Sequence, residues 1–154
     1  MFQSGATVGR TVTPVSDAQI QPNGVDLTAA AVYEQATAGR ISRERKTIGD
    51  RTEIKPVDGL FELSQGAYIV RYGETVHIPE RHIGFIYPRS SLMRNSCMLH
   101  TAVWDAGYEG KGEGLLQVHH PIEIEQGARI AQIVFAEADH EGTYDGSYQG
   151  EHVD

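Results

Sequence analysis

Residues 60–87 read LFELSQGAYIVRYGETVHIPERHIGFIY, and this stretch decides the fold class. Phe61 and Leu63 alternate with polar neighbours, and Ala67-Tyr68-Ile69-Val70 and Val76-His77-Ile78 are short β-prone runs parted by glycine-containing turns. Pro79-Glu80 closes the second run, after which Ile83, Phe85 and Tyr87 again take alternate positions. A period of two is the signature of strands with one buried face. Short strands at such close intervals predict an all-β domain rather than a helical bundle or a parallel α/β sheet.

The pattern extends in both directions. Upstream, Pro22-Asn23-Gly24 is a turn signal, and Val25 and Leu27 alternate on a strand leaving it. The residues before Ile20 carry no sustained helical pattern. Residues 35–59 are rich in charge, Gly and Thr, which predicts a surface excursion or irregular hairpin. Its basic run from Arg40 to Arg45 is interrupted by Glu44 and lacks an aromatic platform, so it reads as a solvated face. Downstream, one short helix is expected over Ser90–Leu99, capped by Ser90 or Ser91, with Leu92 and Met93 inward. Leu115–Val118, Ile122 with Ile124, and Ile130 to Phe135 supply the last strands. The tail from Asp139 is polar and glycine-rich, fitting either a frayed end or a lid ordered conditionally through its two tyrosines.

A chain of 154 residues is long enough for one domain with a real core, expected here over 1–154 with a conditionally ordered tail at 136–154. The formal charge of -8 argues against a general nucleic-acid surface while leaving room for a local cationic pocket that takes a small phosphate. Only Lys46, Lys55 and Lys111 among the 13 basic residues are lysines, a composition that suits a high-salt cytoplasm. Cys97 is the single cysteine, so neither an internal disulfide nor a four-cysteine zinc site is available, and a buried thiol is expected. The adjacent His119-His120 lacks metal-ligand spacing and reads as turn or surface. No charged leader and no apolar run near the roughly 20 residues of a membrane span are present, which gives the expectation of a soluble cytoplasmic protein. Walker and dinucleotide-binding loops are absent as well.

Chemistry concentrates in Tyr87–Gly110, YPRSSLMRNSCMLHTAVWDAGYEG. Its Arg-Ser-Ser start offers charge-assisted donors for an anion. Its end sets Asp105 before Gly107, either as a plain Asx-stabilised hairpin turn or as a carboxylate presented to a ligand. Asp26 is equally open on the residues alone, as a solvated turn residue or as an anchor near phosphates.

Five stretches in order, IQPNGVDL (20–27), PRSSLMR (88–94), TAVWDAGYEG (101–110), GARIAQIVF (127–135) and YDGSYQG (144–150), resemble the dCTP deaminase and trimeric dUTPase superfamily, in particular its archaeal dUTPase-like members. The resemblance implies a distorted jelly-roll-like β fold, a homotrimer and active sites shared between neighbouring subunits. It also implies dUTP as substrate, with Mg²⁺. By the same resemblance Asp26 organises the phosphate and metal environment, if necessary through water. Arg89 and Ser90 contact phosphate, with Ser91 beside them and Arg94 matching the basic residue of the deaminase version. Gln132 contacts the phosphate chain, and Asp105 deprotonates the water that attacks the α-phosphorus. Tyr108 packs on the deoxyribose, the backbone of Ala102, Val103 and Trp104 reads the pyrimidine, and Tyr144, Tyr148 and Gln149 belong to the closing tail.

Two activities remain distinguishable. A deaminase of this superfamily carries a glutamate on the strand after the Asp-Gly-aromatic turn; ungapped counting from Asp105 puts Leu115 there, and Leu115 moves no proton. Glu113 shares its strand parity but lies about 6–7 Å away along a regular strand. Hydrolysis of dUTP to dUMP and diphosphate is therefore expected, with dCTP deamination, a bifunctional enzyme or a catalytically degraded nucleotide-binding regulator as alternatives. Ser91 in an RSS triplet and the tail YDGSYQG look deaminase-like, and Ser147 occupies a position where the superfamily often has a basic residue.

Overall fold

The computed structural model describes residues 1–153; Asp154, the last residue of the expected domain and tail, lies outside them. Its strands are β1 (Val12–Thr13), β2 (Ile20–Gln21), β3 (Gly24–Gln35), β4 (Arg40–Ile41), β5 (Lys46–Thr47), β6 (Arg51–Ile54), β7 (Leu60–Leu63) and β8 (Gly66–Tyr72). They continue with β9 (Thr75–His77), β10 (His82–Pro88), β11 (Cys97–His100), β12 (Glu109–Gly110), β13 (Glu113–Val118), β14 (Ile122–Glu125) and β15 (Arg129–Glu137). The main sheet runs β10-β15-β3-β8-β13-β11, with β2 and β6 pairing onto β3; smaller sheets are β1-β9-β12, β14-β7 and β4-β5. The fold is all-β, as the period-two pattern predicts, and jelly-roll-like with few short helices, as the resemblance implies.

Strand β3 organises the sheet because it is twelve residues long and changes partners along its length. Pro22-Asn23 turns the chain so that Gln21 pairs with Gly24. The first half of β3 then pairs with β15, Asp26 opposite Gln132, and the second half pairs with β8 and β6. Val25, Asp26 and Leu27 are all buried, so the alternation expected of a half-exposed strand fails here: both faces are covered. The core around it includes Leu27, Phe61, Tyr72, Leu116, Ile133 and Phe135, each under 2 % exposed.

Some local expectations need correction. The helix ends at Arg94, and Cys97–His100 is a strand paired with β13. Its N-cap is Arg89, without a side-chain capping bond, and Met93 points outward at 58 % exposure while Leu92 alone is buried. A one-turn helix, Gly5–Val8, stands where no helical pattern was visible; Ser4 caps it by accepting from the Thr7 amide. On β10 the core-facing residues are Gly84 and Ile86, whereas Tyr87 of the alternating set is 58 % exposed. Elsewhere the expectations hold: Cys97 is buried, and residues 40–47 form the small β4-β5 hairpin.

Candidate active site

Asp105 stands on a turn clamped from two sides. The Trp104 amide donates to the Gly84 carbonyl on β10, the Gly107 amide donates to Ile78, and Ile78 donates back to Tyr108. Gly107 at φ +85° supplies the left-handed residue that this turn needs. Asp105 is exposed, and among the described residues its carboxylate makes no hydrogen bond or ion pair. Behind it Trp104 and Tyr108 meet edge-to-face at 4.8 Å. Gly112 must be a glycine, because a β-carbon there would lie 2.5 Å from the Trp104 ring. These groups wall a cavity of about 230 Å³ whose lining also includes Ala102, Val103, Arg51, Glu113 and, from the tail, Tyr144, Tyr148 and Glu151.

The tail is docked on this pocket. Tyr144 packs edge-on against Tyr108 at 5.4 Å, and the Tyr108 hydroxyl donates to Glu151 Oε1 at 2.8 Å. The Gln149 amide is spent on the turn itself, donating to the Gly107 carbonyl and accepting from the Glu109 amide. Lys46 of the β4-β5 hairpin lies 4.4 Å from the Tyr148 ring centre. Burial pushes the Glu151 carboxyl up, with the Glu113 charge adding to it, against the Tyr108 hydrogen bond and the His152 and Arg71 charges. The Tyr108 hydroxyl is likewise held above its usual range by burial and by the Glu151 carboxylate it donates to, so it remains a donor.

A second cluster gathers around Asp26, which is 1 % exposed. Its Oδ2 receives Arg129 Nη1 at 3.2 Å, Gln21 Nε2 at 3.2 Å and Arg89 Nε at 3.3 Å. Burial outweighs both guanidinium groups and raises the carboxyl above its ordinary value. Arg89 is fixed by its amide on the Ile130 carbonyl, and Gln132 sits opposite Asp26 on β15. Arg129 owes its place to a bulge: the register jumps from Thr28–Arg129 to Leu27–Ala131, which brings Arg129 to the face that Asp26 and Gln132 share. Ser90, Ser91 and Arg94 stand exposed on the helix after Arg89. As a direct magnesium ligand Asp26 does not fit, because its carboxylate is turned toward guanidinium groups. Among the described residues no three His, Cys, Asp or Glu side chains converge on a metal position.

The expected site residues thus fall into two groups. Asp105, Tyr108, Ala102, Val103, Trp104, Tyr144 and Tyr148 meet in the pocket; Arg89, Asp26 and Gln132 meet in the cluster, and neither Arg89 nor Ser90 lines the pocket. Gly84 is bridged to Trp104, and Arg89 follows five residues later beyond the end of β10. At about 3.3 Å per residue that is roughly 16 Å within one chain. Leu115 is 41 % exposed and does not line the pocket, whereas Glu113 does. The Glu113 carboxylate is engaged: Arg51 Nη1 donates to its Oε2 at 2.6 Å, and Arg71 and His152 stand 3.6 and 3.3 Å from its Oε1. Sequence reasoning missed three functional candidates here. Arg129 was within a quoted motif but its face depended on the bulge, Arg51 sat in a stretch read as a surface excursion or irregular hairpin, and Glu151 followed the last motif.

The architecture is that of a jelly-roll-like β protein of the dUTPase kind. Residues 5–138 match the family described as dCTP deaminase-like, and the chain belongs to that family, within the trimeric dUTPase/dCTP deaminase superfamily. A probable deoxyuridine 5'-triphosphate nucleotidohydrolase of Halobacterium salinarum is 59 % identical over 160 residues, covering 100 % of this chain and 97 % of its own length. A deoxyuridine 5'-triphosphate nucleotidohydrolase of Methanocaldococcus jannaschii is 43 % identical, covering 88 % of this chain and 90 % of its own. Among solved structures, the 2'-deoxycytidine 5'-triphosphate deaminase of Agrobacterium tumefaciens superposes with a TM-score of 0.65 at 19 % identity over 87 % of this chain, which spans 47 % of that protein. A dUTPase mutant of the Staphylococcus aureus phage phi11, described with a structural Mg(II) ion, gives 0.51 at 14 % identity, covering 88 % of this chain and 95 % of that one. At those identities the two structures speak for the fold alone.

Proposed function

We propose that this chain is a dUTP diphosphatase, hydrolysing dUTP to dUMP and diphosphate. The observation that carries the choice over deamination is the engagement of Glu113: the one acid near the deaminase position is tied to Arg51 at 2.6 Å, while Asp105 is left unengaged in the same pocket. The full-length similarity to proteins named as dUTP nucleotidohydrolases supports the same reading.

In this reading Tyr108 and the Ala102–Trp104 backbone receive the sugar and the pyrimidine. Asp105 takes a proton from water, the water oxygen bonds to the α-phosphorus, and the bond to the bridging oxygen breaks so that diphosphate leaves with the electron pair. Arg89, Ser90, Ser91, Arg94 and Gln132, with Arg129, take the β- and γ-phosphates. Asp26 keeps Arg89 and Arg129 in place. Magnesium would neutralise polyphosphate charge; Asp26, whose Oδ2 already faces Arg89 and Arg129, would reach it only through water.

Within one chain neither Arg89 nor Arg129 lines the Asp105 pocket, so the two halves do not close on one attacked phosphate group there. The pairing of an Asp105 pocket with the Arg89 cluster of a neighbouring copy resolves this, and membership in the trimeric dUTPase/dCTP deaminase superfamily supports a homotrimer as that assembly. Tyr33, Ile69, Leu115 and His100 form one row across four strands on an outer face, a surface suited to self-association. Residues 136–154 would close each pocket as the tail of the single domain.

The test is product analysis with purified protein. dUTP should yield dUMP and diphosphate in stoichiometric amounts, and dCTP should give no deaminated product. Release of ammonia from dCTP, lost in Glu113→Gln, would replace this reading with the deaminase.

A further inference from the structure

Arg51 opens strand β6, within the excursion between residues 35 and 59 and outside all five motifs. Among the described residues it is the only lysine or arginine that lines the Asp105 pocket, against three carboxylates, Asp105, Glu113 and Glu151. Its guanidinium is fixed and only partly used. Nη1 donates to Glu113 at 2.6 Å; among the described residues Nε, sealed from solvent, has no partner and Nη2 meets no acceptor, although the side chain is 26 % exposed. Arg71, stacked over the Tyr33 ring at 5.0 Å, flanks Glu113 on its other side. Arg51 and Arg71 thus hold the Glu113 carboxylate from two sides, and Glu113 in turn fixes the Arg51 guanidinium at the pocket wall.

We infer that Arg51 binds a non-bridging oxygen of the nucleotide α-phosphate, in the same chain as Asp105, and that Glu113 is the positioning residue that holds it there. This rests on the dUTP-hydrolysis reading and extends it. A water activated by Asp105 attacks where three carboxylates face the incoming anion. Negative charge grows on the equatorial oxygens during that attack, and a fixed guanidinium opposes it at no cost in reorganisation. The Arg89–Arg129 cluster, which does not line this pocket in its own chain, is left to the outer phosphates of a neighbouring copy's nucleotide. Glu113 thereby acquires a role that is neither a deaminase base nor a surface charge.

The test compares wild type, Arg51→Gln, Arg51→Lys and Glu113→Gln in steady-state dUTP hydrolysis and in binding of deoxyuridine and dUMP. Loss of one charge-assisted phosphate contact should lower kcat/KM about 10–100-fold in Arg51→Gln and weaken dUMP roughly tenfold, with deoxyuridine bound within about twofold of wild type. Arg51→Lys should recover part of the loss, and Glu113→Gln should show the same pattern more weakly. If deoxyuridine weakens as much as dUMP, Arg51 serves the base, the sugar or the fold, and the assignment is overturned. Wild-type turnover of dUTP with an unchanged Arg51→Gln overturns it too, while leaving the proposed function standing. A wild type inert toward dUTP overturns both.

Discussion

The Asp105 pocket and the Asp26 cluster are built in opposite ways. The pocket puts a carboxylate on an exposed turn, sets two more acids beside it, and covers them with a tail that has its own hydrogen bonds to the turn. The cluster buries one carboxylate between strands and turns two arginines around it. In the proposed reading the pocket supplies the carboxylate that activates water, with Arg51 as its one arginine among the described residues, and the cluster takes the outer phosphates but holds no unengaged base. An acidic chain can therefore serve a polyanionic substrate if the two halves are kept apart in the chain and joined only across subunits. The turn is held by backbone hydrogen bonds to β10, Ile78 and the tail, while the arginines are braced through β15 and Asp26.

The contrast can be broken experimentally. The largest effect belongs to Asp105→Asn, which keeps the shape of the turn and removes the base; kcat should fall about 10²–10⁴-fold with the assembly mass unchanged by light scattering. Arg89→Gln should act on binding, raising KM for dUTP about 10–100-fold through the lost charge-assisted contact. Mixing these two impaired variants, after unfolding and refolding together, should restore about a quarter of wild-type activity at dUTP well below the raised KM if each site takes one half from each of two neighbours. No recovery would mean that the halves meet within one chain.

A subtler difference is pH. Docking raises the Glu151 carboxyl above its ordinary value of 4.5, mainly through burial, so the docked tail binds the proton more tightly than the free tail. That contribution to docking is complete below the ordinary glutamate value and is lost as pH rises through the raised one. The groups facing Glu151 are Tyr108, Glu113, His152 and Arg71. Trp104, the only tryptophan and a direct neighbour of Tyr108, should report the release as a fluorescence change above pH 4.5 that Glu151→Gln removes. The smallest effect should come from Lys46→Ala. An exposed cation–π contact of about 0.5–1 kcal/mol allows only a two- to fivefold change in KM through a looser tail.

How legible was this in the sequence? The β class, the two-residue turn at Pro22-Asn23, the strand parity around Phe61 and Ile124, and the motif residues of both halves were readable, because period-two alternation and turn chemistry are local properties. The helix was overextended by Cys97–Leu99, whose apolar pattern suits a helix face or a strand equally; pairing with β13 decided it. Arg51 was invisible for a different reason. Nothing local separates an arginine on a solvated excursion from one whose partner, Glu113, lies 62 residues away.

By itself the sequence determined the all-β class, the family and the candidates Asp105, Arg89 and the aromatic walls, since these rest on local periodicity and on motifs in order. Tertiary structure alone decided which of them meet. The bulge in β15 turned Arg129 toward Asp26, the register of β13 put Glu113 rather than Leu115 at the pocket, and the length of β10 set Arg89 apart from Asp105. Register, bulges and strand length are set by pairing between distant segments, and a one-residue shift in pairing sends a side chain to the opposite face.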